Sequence, residues 1–190
     1  MKTINLCFRV HQRYNLKRYR FFEIGNDHYY YDDYANESAM ATAVNQSYLE
    51  ATRMLLDMIK SSNGRFRVSF SISGLALEQF EQYAPEVIES FQELAKTGSV
   101  EFLATPYGHS LAALYNDDEF EMQVKMQSDK IQELFGKRPT VFANTALLFS
   151  DEIADKVYRM GYKTIMIEDA KHVMGWKSSH YVYSSIANPK

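Results

Sequence analysis

The sequence predicts an α/β fold with a mainly parallel sheet, and three observations carry that prediction. Short runs of alternating apolar residues take turns with stretches of helical apolar spacing along the whole chain. The helical stretches are punctuated by capping residues at their starts and glycines at their ends. No strand is followed by G-x-G-x-x-G or a P-loop. The first two observations imply repeated βα units. The third removes the best support for a doubly wound nucleotide-binding sheet and favours an incomplete β/α barrel. At 190 residues the chain fits a single domain, 1–190, long enough to bury a core.

Ile4, Leu6, Phe8 and Val10 alternate, which predicts a first strand stopping at His11-Gln12. An aromatic loop follows. Val44, Tyr48, Ala51, Leu55 and Ile59 then recur at helical spacing and predict a helix over 41–61. Phe66, Val68, Phe70 and Ile72 give a second strand closed by Ser73-Gly74. Pro85 opens the next helix, Val87, Ile88, Phe91 and Leu94 form its face, and Gly98 stops it. A third strand, 100–104, runs into Thr105-Pro106-Tyr107-Gly108-His109. Asn116 with Glu119 reads as a capping box for a helix bearing Phe120, Val124, Ile131 and Phe135 and ending at Gly136. The fourth strand is 140–143. Ser150, with Asp151 and Glu152, caps a helix that stops at Gly161, before a fifth strand at 164–167. A sixth strand is expected near 181–185.

Composition excludes several classes of function. A formal net charge of -3 offers no basic footprint, so nucleic acid is not an expected partner. Cys7 is the sole cysteine, which rules out a disulfide within the chain and reads as a buried small hydrophobe. The N-terminal run is too short and too alternating for a signal peptide, and no stretch matches a bilayer span, so the expected location is cytoplasmic, without membrane association. Fourteen tyrosines are more phenols than a core can satisfy, and many crowd into "YRFFEIGNDHYYYDDY". Some of them should line a wet surface or groove.

In a barrel the C-terminal strand ends share one rim. That rim would carry His11 and Gln12, Ser73, Thr105 and His109, Asn144 and Thr145, then Glu168 and Asp169. Polar residues arriving from five loops are what a binding pocket needs. The turn after the fourth strand, in "PTVFANTALLFSDEI", is the puzzle: Asn144, Thr145 and Ala146 include no acid, base or strong nucleophile.

These stretches together resemble glycoside hydrolase family 57, in its α-amylase-like branch. The carriers are "FRVHQRY" (against F-x-x-H-Q-P-Y), "RYRFFEIGNDHYYYDD", "VSFSISGLALEQFE", "GSVEFLATPYGHSL", "PTVFANTALLFSDEI" and "AKHVMGWKS". The resemblance implies the front part of a TIM-like barrel of the seven-stranded type, cut on its C-terminal side, and retaining cleavage of α-1,4-glucan. It implies a substrate-binding role for His11. It also puts the nucleophilic glutamate of F-R-N-T-E-L-I-Y at Ala146, and an arginine at Ala143. The family's acid/base aspartate belongs to a later strand, beyond Lys190. Arg13 replaces the motif proline, Thr105-Pro106 a Glu-Thr pair and Asp169 a glycine, so the departures gather on the rim.

The resemblance thus implies a family member without its nucleophile and a sugar contact at His11; the rim positions Gln12, His109 and Glu168 and the aromatic Trp176 complete the substrate-binding candidates. No catalytic residue, metal or cofactor is expected. The expected partner is an α-glucan or maltooligosaccharide, and the open barrel edge suggests self-association. A noncatalytic glucan-binding or regulatory protein, and a structural fragment without ligand, stay as alternatives. Individual residues also keep bland readings. Asp151 and Glu152 suit a helix start, His28 could tie its loop, and Glu101 should face the barrel interior or a paired partner. Trp176 and Tyr29 to Tyr31 could stack on sugar rings or pack under the loop. The Asp32-Asp33 and Asp117-Asp118 pairs lack a nearby histidine pair and make a metal site a weak reading.

Overall fold

The computed structural model describes residues 4–26 and 28–184, in two compact units. The first comprises residues up to 10, 68–74 and 101 onward; the second comprises 11–67 and 75–100.

The first unit is built on the strands. β1 (Cys7–Val10), β2 (Val68–Ile72) and β3 (Val100–Leu103) form a sheet in the order β1-β2-β3. β4 (Val141–Ala143) and β5 (Thr164–Met166) form a second parallel pair. β1 and β2 run parallel, with Cys7 opposite Ser69 and Val10 opposite Ile72. A parallel bridge between Ala104 and Phe142 links the two pairings. Every residue of β2 is buried, so its serines Ser69 and Ser71 lie inside as well as its apolar side chains. A central strand covered on both faces has this pattern.

One face of the sheet carries a row of rings. Phe8 stacks on Phe70 with centroids 5.5 Å apart, Phe70 on Phe102 at 6.2 Å, and Phe102 on Phe135 at 4.4 Å. Phe135 belongs to α5 (Asp117–Phe135), so the row ties strands to helix. Asn116 caps α5 by accepting from the Glu119 amide at 3.1 Å. Only half of the expected capping box forms, because the Glu119 carboxylate accepts from Gln123 at 2.6 Å instead. Gly136 ends α5 at φ 73°, a left-handed stop that favours glycine. α6 (Asp151–Arg159) is capped by Ser150, which accepts from Ile153 at 3.2 Å, and the short α7 (Lys171–Met174) follows β5.

Gln127 holds this unit together at its centre. It lies fully buried in the apolar stripe of α5. Its Nε2 donates to the Ile72 carbonyl at 2.8 Å and the Leu103 carbonyl at 3.2 Å, and its Oε1 accepts from the Thr105 amide at 3.3 Å. One side chain therefore ties the ends of β2 and β3 and the start of the loop that follows.

The second unit is helical. α1 (Asp33–Ala43) and α2 (Leu49–Ser61) are joined by a π-helical turn at Val44–Tyr48, and α3 (Gly74–Tyr83) and α4 (Pro85–Lys96) follow β2. Met40, Leu55, Leu77, Phe80, Phe91 and Leu94 fill its core. Asn36 is buried and exchanges two hydrogen bonds with the Asn15 backbone, at 2.6 and 3.3 Å. Gln79 is also buried and donates to the Gln12 carbonyl at 2.9 Å. These polar anchors hold the chain segment just after β1.

The aromatic loop folds back on itself as a ribbon. Lys17 N–H donates to the Tyr30 carbonyl at 2.8 Å, Asp32 N–H donates to the Asn15 carbonyl at 3.0 Å, and Leu16 bridges Tyr31 antiparallel. Tyr29, Tyr30 and Tyr31 are exposed, as the phenol count predicts.

Several expectations need correction. The first strand starts at Cys7, and Ile4 is 86% exposed, because among the described residues β1 pairs only with β2. The first expected helix begins at Asp33 rather than 41, since Asp32 caps it by accepting from Ala35 at 3.0 Å. α3 has no counterpart in the sequence reading. Residues 181–184 form no strand, and Ser185 lies outside the described residues. Glu101 is exposed, although it accepts from Thr140 Oγ1 at 3.3 Å.

Replacing Gln127 with leucine removes three hydrogen bonds from buried groups while keeping the apolar volume close. At about 1–3 kcal/mol for each buried group left unsatisfied, a loss of about 3 kcal/mol is expected, read as a lower urea midpoint. An unchanged midpoint would show that the anchor is not needed.

Candidate functional site

The loops after β2, β3, β4 and β5 in the first unit form the candidate site. After β2, Ser73 is buried and its amide donates to the Val10 carbonyl at 3.0 Å. Gly74 follows directly, and a β-carbon there would lie only 2.2–2.3 Å from three atoms of the Tyr107 ring. The loop after β3 is thus packed by its tyrosine onto the turn after β2, an approach that only glycine permits.

The loop after β3 is held along α5. Gln123 Oε1 accepts from the Gly108 amide at 3.1 Å and the Ser110 hydroxyl at 2.9 Å, one helical turn before Gln127 binds the Thr105 amide. Between those anchors sits His109, half-buried at φ 52° with its amide donating to the Pro106 carbonyl at 3.1 Å. A left-handed backbone at a residue with a β-carbon is strained, and such positions gather at functional sites.

The turn after β4 carries the same signature more strongly. Ala146 has φ 52° and ψ 19°, and Leu147 has φ 56°. Asn144 closes the turn: its Oδ1 accepts from the Thr145 amide at 2.9 Å and its Nδ2 donates to the Leu148 carbonyl at 3.1 Å. Asn144 and Thr145 are buried, whereas Ala146 is exposed at the tip. The Thr145 hydroxyl is buried without a hydrogen-bond partner. Position 146 thus places its side chain at the exposed tip of a hydrogen-bonded turn, and that side chain is a methyl group.

The remaining candidates are placed as follows. Glu168 is half-buried just beyond β5, and Asp169 is exposed. Trp176 follows α7 and is 94% exposed, so its ring is open to solvent on nearly all sides. His11 and Gln12 directly follow β1, are half-buried, and belong to the second unit, where Gln79 fixes the Gln12 carbonyl. In that unit a groove of about 470 Å³ runs along α2 between Glu50, Arg53, Met54, Asp57, Met58 and Ser61, all from one helix face. Among the described residues no three acidic, imidazole or thiol groups converge as metal ligands.

Sequence reasoning missed Gln123, Gln127 and Gln79, which position these loops without touching a reacting group. The signal for Gln127 was available. It interrupts the apolar stripe Phe120, Val124, Ile131, Phe135 at a position that must face the core.

Replacing Ala146 with glycine relieves a left-handed strain of roughly 1–2 kcal/mol and adds unfolded-chain entropy of roughly half that. The variant is expected to be about 0.5–1 kcal/mol more stable by urea denaturation. A clear loss of stability would mean that residue 146 does not hold the left-handed conformation.

The model of glycosyl hydrolase family 57 matches residues 5–188. A Methanocaldococcus jannaschii protein described as "Putative alpha-amylase" is 32% identical over 185 residues, which cover 96% of this chain and 39% of that protein. This chain therefore spans about two fifths of the length of that curated relative. Among solved structures, the 4-alpha-glucanotransferase of Thermococcus litoralis superposes with a TM-score of 0.68 at 18% identity, over 92% of this chain and 23% of that one. The alpha-amylase AmyC of Thermotoga maritima gives 0.65 at 13% identity, over 96% and 43%. At such identities these two show the shared fold alone, that of the N-terminal part of the barrel. No described helix is long and apolar enough to cross a membrane. With nearly its whole length inside the family match, the chain belongs to glycosyl hydrolase family 57.

Proposed function

We propose that this chain recognises α-glucan through its strand-end loops and does not cleave it with its own residues. The observation that carries the reading is Ala146: an exposed methyl at the tip of the left-handed turn after β4, where the family resemblance puts the nucleophile. Retaining hydrolysis uses two carboxylates roughly 5–5.5 Å apart, one attacking the anomeric carbon and one protonating the leaving oxygen. A methyl group can do neither. The other features around it suit binding. His109 and Glu168 are half-buried beside strand ends; the loop that carries His109 is held by Gln123 and Gln127, and the turn after β4 by Asn144, rather than by substrate. Preorganised polar groups of this kind lower the ordering cost of taking up a ligand. The names of the relatives, an α-amylase and a glucanotransferase, supply the ligand class.

Two measurements test this. The purified chain should release no reducing ends from maltooligosaccharides, and Ala146→Glu should stay silent too. General acid help is worth about 10²–10⁴-fold, and nucleophile and acid act as a unit, so one restored carboxylate leaves most of the barrier. Turnover that survives repurification, in either protein, would overturn the noncatalytic reading, with Glu168 the first suspect as acid. Binding should appear as amide shifts at His109 and Glu168 with millimolar maltooligosaccharide.

The same reading includes self-association. The row of stacked rings ends at Phe8, which is 39% exposed on a strand paired on one side only among the described residues. Unpaired strand edges with apolar side chains template further pairing. A dimer is expected by sedimentation at high micromolar concentration, and Phe8→Lys should return it to monomer. A monomeric parent protein would contradict the idea.

A further inference from the structure

The aromatic ribbon of the second unit is not accounted for by the strand-end loops. On one of its faces Tyr14, Tyr29 and Tyr31 come together, with ring centroids 4.7 Å apart for Tyr14–Tyr31 and 5.9 Å for Tyr29–Tyr31. The phenols of Tyr14 and Tyr29, and that of the neighbouring Tyr83, are tied down. Tyr29 donates to Asp33 Oδ1 at 2.6 Å, Tyr83 donates to the same oxygen at 3.2 Å, and Tyr14 donates to Glu78 at 3.4 Å. The hydrogen bond to Asp33 is the main cause that pushes the Tyr29 phenol up to about 12, and burial, with the Glu78 charge adding, pushes the Tyr14 phenol to about 12. These phenols stay protonated, as donors, across the physiological range. Tyr29 and Tyr31 nevertheless remain 47% and 42% exposed.

We propose that this ribbon is a carbohydrate-binding surface in its own right, taking a neutral glucan chain against Tyr31 and Tyr29 with Asp33 accepting sugar hydroxyls. The ligand class rests on the glucan reading above; the surface itself does not. Three features favour a sugar over other occupants. Tyr29 is held by its bond to Asp33, and Tyr31 packs against Tyr14 and Tyr29, so stacking costs less side-chain entropy than at free rings. An aromatic face matches the C–H side of a pyranose, while Asp33 Oδ2, which takes part in neither phenol bond, can accept from an equatorial hydroxyl. A purely apolar partner would bury the Asp33 and Glu78 carboxylates with no new donor, which is costly. A cation has less to gain here, because Lys17 Nζ already lies 4.8 Å from the Tyr29 ring centroid.

The test is a backbone-amide titration of the whole chain with maltoheptaose. Shifts are expected at 29–33 and Tyr83. Tyr31→Ala should weaken this binding up to about tenfold, the equivalent of one lost ring contact, whereas Tyr31→Phe should keep it. Shifts confined to 105–110, 144–148 and Glu168 would overturn the ribbon site and leave the proposed function standing. Shifts confined to the ribbon would support the site and remove the strand-end reading instead. If no residue moves, both fail. Should Tyr31→Ala not fold, the shift map of the parent protein and the Tyr31→Phe titration decide.

Discussion

A single buried amide organises the first unit. Gln127 reaches from the core stripe of α5 to the last carbonyls of β2 and β3 and to the amide of Thr105. Strand ends are where a sheet runs out of its own partners, and buried backbone groups left there are costly. The usual remedy is water or a loop that folds over them. Here a helix supplies one side chain with both donor and acceptor, so the loop is free to leave the sheet at a set point. Gln123, one turn earlier, holds the loop farther along at Gly108 and Ser110. Two positions four residues apart on α5 therefore decide where His109 can be. Tyr107 closes the arrangement against Gly74, so the loops after β2 and β3 cannot shift independently.

The second unit uses the same device with different residues. Asn36 on α1 and Gln79 on α3 are both buried, and both bind backbone in the segment that follows β1. Gln79 Oε1 is left without a partner, as is the Thr145 hydroxyl in the first unit. Buried amides on helices bonded to loop backbone are thus the recurring way this chain holds the segments that leave its strands. They also explain why these segments can keep their shape when residues at their tips change: the supports lie on other elements.

How far the sequence revealed this depends on which physical signal each feature leaves. The helix ends were legible because they are local. Gly98, Gly136 and Gly161 all adopt the left-handed conformation that stops a helix, and Asn116 and Ser150 cap as their positions predict. The first two strands were legible by alternation, though the pattern of the first overran its pairing. β1 lacks a second neighbour among the described residues, and there Ile4 and Leu6 stay exposed although their spacing matches a strand. α3 was hidden because it starts at the strand-closing Gly74 itself, with no linker to mark the change of period. The onset of α1 was hidden by composition, because Asp33 and Tyr34 read as part of the aromatic loop. Of the site, the strand-end positions were legible, but the anchors were not. A glutamine in an apolar stripe says that something polar is buried, not which loop it holds.

The turn at Ala146 shows why a site's geometry and its chemistry can part company. A left-handed residue with a β-carbon costs about the same whether its side chain is a glutamate or an alanine, because the clash lies between the β-carbon and the backbone. The conformation is enforced from outside residue 146. The Asn144 side chain bonds both the Thr145 amide and the Leu148 carbonyl, and the Leu147 and Leu148 amides donate to the Asn144 and Thr145 carbonyls at 3.0 and 3.1 Å. Removing a carboxylate from the tip takes away none of these bonds. The strained conformation therefore does not depend on which side chain residue 146 carries. Such a turn still presents exposed backbone next to a buried, unpartnered Thr145 hydroxyl. On the proposed noncatalytic reading, recognition of a ligand would need no reacting residue, because the loops after β3 and β4 are supported by Asn144, Gln123 and Gln127.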